Sequence, residues 1–292
     1  KQRAFLAEKG ENVHTLVMTA TPIPRTLSLI LYGDLDISVI DELPPGRKPV
    51  ETYSAGEGLR KRVYEFIRKN VSGGRQVYIV CSLVEESDVL TAKSASEYAE
   101  KLQKEVFPEL KIDVLHGRLK AKEKDAVMEK FISGETNILV STTVIEVGVD
   151  VPNATIMVVE NAERFGLSQL HQLRGRVGRG SEKSYCILFS DSRGEVAMER
   201  VRVMCETSDG FKIAEYDLKL RGPGEFFGVR QHGLPELKIS NLATDMELLK
   251  TAQEAAIEVI EADPSLDTKE NKALKDAVMK KFNDSGGRNM LN

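Results

Sequence analysis

The sequence predicts an α/β domain built on a parallel sheet with helices on both faces, followed by a helical hairpin and C-terminal helices. Two observations predict it. Between residues 46 and 190, short apolar runs such as Val77-Tyr78-Ile79-Val80 alternate with segments of helical periodicity. Strands covered on both faces read as continuous apolar runs, whereas half-exposed strands alternate. From Asp191 onward the strand pattern stops and only helical patterns follow.

In chain order, Leu16–Ala20 is an apolar run closed by Thr21-Pro22, read as a buried strand, and Ile23–Tyr32 is helical with Pro24 in its first turn, where a proline is tolerated. Asp41 to Pro49 holds three prolines among charges and reads as a connector between domains. Helices are expected at Leu59–Asn70, Thr91–Phe107 and Lys120–Ile132, the first and last with an apolar face. Strands are expected at Gln76–Cys81, Ile112–Leu115, Asn137–Val140, Ile156–Glu160 and Ser184–Phe189. A helix at Glu195–Glu206 breaks at Ser208-Asp209-Gly210, a glycine-rich stretch runs from Leu220 to Gly233, and helices follow at Asp245–Glu261 and Thr268–Phe282. Residues 283–292 read as a frayed tail. Four segments result: 1–45, 46–190, 191–240 and 241–292.

With 292 residues and 41% hydrophobic content, a packed core is expected and disorder is not. A net charge of −4 excludes a generally basic coat but allows a local basic groove. Cys81, Cys186 and Cys205 are far apart and form no C-x-x-C pair, so neither a disulfide framework, a zinc site nor any other metal site is expected, and a reducing cytoplasm is the simplest setting. No run approaches the length of a membrane span. The opening Lys1-Gln2-Arg3 lacks a methionine and reads like the middle of a helix, so a piece of a longer protein is expected.

Three stretches carry chemistry. Gln172-Leu173-Arg174-Gly175-Arg176-Val177-Gly178-Arg179 packs three arginines and two glycines into six residues. Arginine stays charged and forks onto phosphate oxygens, and glycines let the backbone turn so that the guanidinium groups are exposed together. The plainer reading, a solvated basic helix end, fits an arginine pair better than this spacing. Ser141 to Pro152 starts at a strand end with hydroxyls, and ligands of open α/β sheets sit beyond the carboxyl ends of strands. Thr142 and Thr143 can hold phosphates and Asp150 can accept from a ribose hydroxyl, though a capping threonine and a turn aspartate would give the same pattern. Thr19-Ala20-Thr21 is weak alone, since any strand-to-helix turn can carry it.

Taken together and in this order, these stretches resemble motifs III, V and VI of superfamily-2 helicases. The resemblance narrows to RecG-type DNA helicases through Asp41 to Arg47, His116-Gly117-Arg118, Leu170 to Arg176 and Arg221-Gly222-Pro223-Gly224-Glu225. It implies a second RecA-like domain at 46–190, the tail of a first such domain at 1–45, and a translocation hairpin and loop at 191–240. By resemblance, Arg179 is the arginine finger, Arg176 meets the γ-phosphate, Gln172 places the nucleotide, and Asp150 and Gly148 belong to the nucleotide side. Thr19, Thr21, Thr142, Thr143, His116, Arg118, Arg200, Arg221 and Gln231 fall to nucleic-acid binding and coupling. The chain departs slightly from the family at His232, where Ser or Thr is expected.

No G-x-x-x-x-G-K-[ST] occurs, and Gly73-Gly74-Arg75 lacks the lysine-hydroxyl pair of a P-loop. The resemblance therefore implies that ATP and Mg²⁺ are bound mainly by an upstream domain, and that this chain alone is inactive. The implied partners are branched double-stranded DNA and the upstream helicase and wedge domains, with a single-strand-binding protein as a further candidate and a bacterial cytoplasm as the setting. Three alternatives stand beside this one: a transcription-repair coupling factor, an RNA helicase, and a non-catalytic interaction module that uses the domain as a scaffold.

Overall fold

The structure is a computed structural model and describes residues 16, 18–19, 38–42, 44, 46–82, 88–142, 150–226 and 246–284. The chain divides into two compact units, Asp41–Asp217, and Lys1–Ile40 with Leu218–Asn292. The first of these holds a six-stranded sheet. Its strands are β1 (Glu51–Ala55), β2 (Gln76–Val80), β3 (Ile112–Leu115), β4 (Ile138–Ser141), β5 (Ala154–Val159) and β6 (Tyr185–Phe189). They lie in the order β1-β6-β5-β2-β4-β3, every pair parallel. Around them run α1 (Arg60–Ser72), α2 (Asp88–Lys101), α3 (Ala121–Ile132), α4 (Leu167–Arg174) and α5 (Glu195–Glu206), followed by α6 (Gly210–Phe226).

Alternate residues of the central strands feed two cores. Val77, Ile79, Ile138, Val140, Ile156 and Val158 pack with Val63, Ile67 and Val71 of α1 and with Ala99 of α2. On the opposite face the Tyr78 ring meets Phe131 of α3 at 4.9 Å between centroids. The predicted parallel sheet with two covered faces is thus observed.

At the carboxyl ends of β1, β5 and β6 the Arg60 guanidinium ties three elements together. It forks onto Glu160 at 2.8 and 3.0 Å, donates to Glu57 at 2.7 Å, and lies 4.1 Å over the Phe189 ring. Glu160 is buried, so this pair is a packed part of the structure and not a loose surface bridge.

The structure differs from the expected elements in four places. β1 is not among the expected strands, because Glu51-Thr52-Tyr53-Ser54-Ala55 contains no apolar run. As an edge strand it buries only Ala55, so hydrophobicity gives no sign of it. The expected buried strand at Leu16–Ala20 is not found among the described residues. Leu16 and Met18 are 81% and 82% exposed, and the described sheet has β1 and β3 at its edges. An apolar run becomes a buried strand only where a sheet offers it a place. α6 extends to Phe226, into the expected glycine-rich loop, because the buried Ile213, Ala214 and Leu218 hold the helix upstream of its poor formers. The tail begins later than expected, since α8 (Lys272–Asp284) includes Asn283 and Asp284. The helix expected at Ile23–Tyr32 lies outside the described residues.

The other unit contains α7 (Met246–Ala262) and α8. Asp263 shapes their connection by accepting from Thr268 N at 3.0 Å, Thr268 Oγ1 at 2.8 Å and Asn271 Nδ2 at 3.0 Å, and these donors hold its carboxyl well below the usual range. Among the described residues no helix is long and apolar enough to cross a membrane.

One buried side chain stitches the amino end of β2 to α3. Gln76, 2% exposed, donates to Phe131 O at 2.5 Å and to Thr136 O at 2.8 Å. Gln76→Leu leaves both carbonyls buried without a donor, so equilibrium unfolding in urea is expected to show a loss of about 1–3 kcal/mol.

Candidate nucleotide and nucleic-acid sites

α4 is anchored by Leu167, Leu170 and Leu173, all buried, and Gln169 caps its start by accepting from Gly166 N at 3.0 Å. Gly175 ends it, and the chain then turns sharply. Gly178 has φ +75°, and a Cβ there would lie 2.7 Å from Val50 Cγ2. At Gly180 a Cβ would lie 2.8 Å from Pro152 O. The turn is therefore pressed onto the chain just before β1 and just before β5, a closeness that only glycine permits. This places Arg179 beside Asp150, with Nε 3.8 Å from Oδ1, and lets Arg179 Nε and Arg47 Nη2 both donate to Gly175 O at 3.3 and 3.2 Å. Burial pushes the Tyr78 hydroxyl up to about 12, while Arg176 and Arg179 pull against that shift and Asp150 adds to it. All three charges thus act on the middle of β2.

This arrangement bears on the sequence reading in two ways. The first concerns place. Thr142 follows the carboxyl end of β4, while Asp150 and Arg179 stand at the amino-terminal edge. The second concerns the arginines. Arg174 is not exposed with its neighbours but only 4% exposed. It donates to Met204 O at 2.9 Å and Thr207 O at 2.8 Å, with Thr52 Oγ1 at 3.5 Å and His171 Nδ1 at 3.2 Å. Helical phase turns this side chain inward, onto the carbonyls that end α5, where a cation is favoured. Arg176 is half-buried, and Gln172 and Arg179 are exposed.

A second cluster forms at the carboxyl ends of β3 and β4. Leu115 pairs with Ser141 in register, and Thr142 N donates to Leu115 O at 3.2 Å. His116 and Thr142 therefore stand side by side, with Arg118 exposed in the next turn. His116 Nδ1 and Ser141 Oγ are buried without a hydrogen-bond partner among the described residues, and burial draws the His116 pKa down. Arg200 is on α5, half-buried, its Nε also without a partner among the described residues. Thr19 is exposed. Thr21, Thr143, Gly148 and Gln231, and the side chain of Arg221, lie outside the described residues. Sequence reasoning missed Arg47 and His171. A proline-rich setting hid Arg47, and nothing local sets His171 apart from any other polar helix residue. Among the described residues no group of His, Cys, Asp and Glu could hold a metal ion.

The fold belongs to a known class. Residues 58–181 match the helicase conserved C-terminal domain. Residues 207–284 match domain 3, C-terminal, of ATP-dependent DNA helicase RecG, which favours the RecG-type reading over a coupling factor. The RecG of Thermotoga maritima is 59% identical over 259 residues, covering 89% of this chain and 33% of that protein. That of Synechocystis sp. is 56% identical over 267 residues, covering 91% and 32%. A solved structure of RecG bound to a three-way DNA junction superposes with a TM-score of 0.65 at 55% identity, over 83% of this chain and 31% of that one. The chain belongs to the RecG-type helicases and corresponds to their C-terminal region. It spans about a third of the length of these curated relatives.

Two outcomes test this geometry. Gly178→Ala adds a Cβ against Val50 at a positive φ, and thermal or urea unfolding is expected to show a loss of about 1–3 kcal/mol. His171 is pulled down to about 4, first by burial and then by the Arg174 cation. The unfolded chain binds the proton near 6.5 and the folded chain only near 4, so stability is complete above pH 6.5 and declines as pH falls through that window. The decline attributable to His171 is about 2–3 kcal/mol at most, allowing for solvent screening. Urea titrations between pH 7 and 4 are expected to show a steeper loss for the wild type than for His171→Gln.

Proposed function

We propose that this chain is the second motor domain and translocation hairpin of an ATP-dependent double-stranded-DNA translocase and helicase that remodels branched DNA in recombination and repair. In this reading residues 1–45 end the first motor domain, 46–190 form the second, 191–240 the hairpin and loop, and 241–292 the closing helices. The Arg179–Asp150 pair supports the reading most directly. It sets a guanidinium beside a carboxylate at one edge of a RecA-like sheet, the groups that a triphosphate and its ribose require. The two side chains are 31% and 54% exposed, and an exposed pair at this distance is worth about 0–1 kcal/mol. Arg179 is therefore held in place and still free to turn to a phosphate.

Arg179 then acts as the arginine finger, Arg176 contacts the γ-phosphate, Gln172 places the nucleotide and Asp150 accepts from the ribose. ATP, with Mg²⁺, would be held mainly by a P-loop domain that the 292 residues do not contain. Thr142, His116 and Arg118 would face the DNA backbone, contacts that position a duplex without reading its sequence. The solved relative bound to a three-way DNA junction supports branched DNA as the partner. A single-strand-binding protein is a further partner in this reading, and the bacterial cytoplasm its setting.

The test is DNA-stimulated ATP hydrolysis on a model fork by the longer protein to which this region is assigned. Arg179→Ala is expected to lower turnover about a thousandfold or more with DNA binding retained, and the 292-residue chain alone is expected to show none. Unchanged turnover in Arg179→Ala would remove the finger assignment.

A further inference from the structure

Arg47 belongs to none of motifs III, V and VI, yet it touches the turn that carries the proposed finger. Its backbone N–H donates to Pro44 O at 3.2 Å, closing a tight turn in which Gly46 has φ +81°. Beyond that turn the connector runs along residues 175–178. Arg47 Nη2 donates to Gly175 O at 3.2 Å, although the two residues are 128 apart in sequence. Lys48 O and Val50 Cγ2 lie 3.6 and 2.7 Å from where a Cβ would stand at Gly178. From Glu51, whose N–H donates to Ser184 O at 3.0 Å, the connector continues as β1 in register with β6. The tight turn holds Arg47 from one side, and the Gly178 contact and the strand pairing hold it from the other.

Gly175 O is the shared point. α4 ends at Arg174, and a helix leaves the carbonyls of its last turn without intrahelical donors. Leu173 O and Arg174 O accept from the backbone N–H groups of Arg176 and Val177 at 3.0 and 3.3 Å. Gly175 O, one residue further, accepts from two guanidinium groups, Arg47 Nη2 at 3.2 Å and Arg179 Nε at 3.3 Å. A carbonyl oxygen has two lone pairs, so both bonds are made at once. Arg47 and Gly175 are half-buried, whereas Arg179 is exposed. Stripping a sheltered acceptor of its donors costs far more than removing one donor of two.

We infer that Arg47 is a positioning residue for the arginine finger: it keeps the Gly175 carbonyl satisfied when Arg179 turns away to a phosphate. This rests on the proposed role of Arg179. With Arg47 present, Arg179 exchanges one of two bonds at a shared acceptor for a phosphate oxygen. Without Arg47, the same movement takes away the second guanidinium donor as well, and Arg179 is held back at the helix end. Arg47 stays on Gly175 throughout and acts on the reaction only through Arg179.

The experiment uses the longer protein, a forked duplex and ATP. Arg47→Ala is expected to lower kcat for DNA-stimulated hydrolysis about tenfold, with KM for ATP and DNA affinity each within about threefold of wild type, because the finger's bond to phosphate is made in the transition state. Arg47→Lys keeps a cationic donor, and a single bond to a carbonyl needs no guanidinium fork. Its kcat is therefore expected to return to within about threefold of wild type. In an Arg179→Ala background, read by single-turnover hydrolysis, Arg47→Ala is expected to cost less than about twofold, since two residues that act as a unit are not additive. Unchanged kcat in Arg47→Ala overturns the inference. So does a loss by the same factor in both backgrounds, which marks a structural role or a direct contact with the nucleotide. If Arg47→Ala does not fold, Arg47→Met, which keeps the length of the side chain without the donor, is held to the same two criteria. Full turnover in Arg179→Ala alone removes the finger assignment and this inference with it. A loss of about a thousandfold there, together with unchanged kcat in Arg47→Ala, removes the inference only.

Discussion

The site depends on how closely the turn at residues 175–180 lies against the starts of β1 and β5. Two glycines make that approach possible, one at a positive φ and both with no room for a Cβ. Because the backbone sits so low, Arg179 rises beside Asp150 and Arg47 reaches the Gly175 carbonyl. A bulkier turn would lift the arginines off the edge and leave the two motifs apart. The glycines thus act less by flexibility than by what they leave empty.

Three arginines within six residues divide into two tasks. Arg176 and Arg179 stand near the amino-terminal edge of the sheet, where their charge reaches Tyr78 and Asp150. Arg174 points inward and terminates α5. The division follows from helical phase. Arg174 is the last residue of α4 and shares its buried face with Leu170 and Leu173, while the other two lie beyond the helix. His171, kept neutral by burial and by Arg174, serves as an acceptor in the same joint.

The sheet separates the candidate chemistry into two edges. His116 and Thr142 follow the carboxyl ends of β3 and β4, adjacent because Leu115 and Ser141 are in register. Asp150 and Arg179 lie at the opposite edge. Thr142 and Asp150 are close in the string but stand at opposite edges of the sheet. In the proposed motor this separation suits the work, since one edge handles phosphates of the nucleotide and the other phosphates of the duplex.

The sequence by itself determined the parallel sheet, its buried strands, the helices around it and the residues that carry charge. These are written in local patterns, because a strand buried on both faces must be apolar throughout and a helix must repeat its apolar face. It determined the family too, since the motifs around Asp150 and Arg179 are read residue by residue. Only the tertiary structure decided which of the three arginines is buried, that β1 exists at all, and that Asp150 and Thr142 part company. Arg174 and Arg176 are chemically the same in a string; what separates them is the carbonyl end of a helix that begins some twenty residues later. β1 carries almost no hydrophobic signal because an edge strand is held by backbone hydrogen bonds to its neighbour, and those bonds are made by every residue alike.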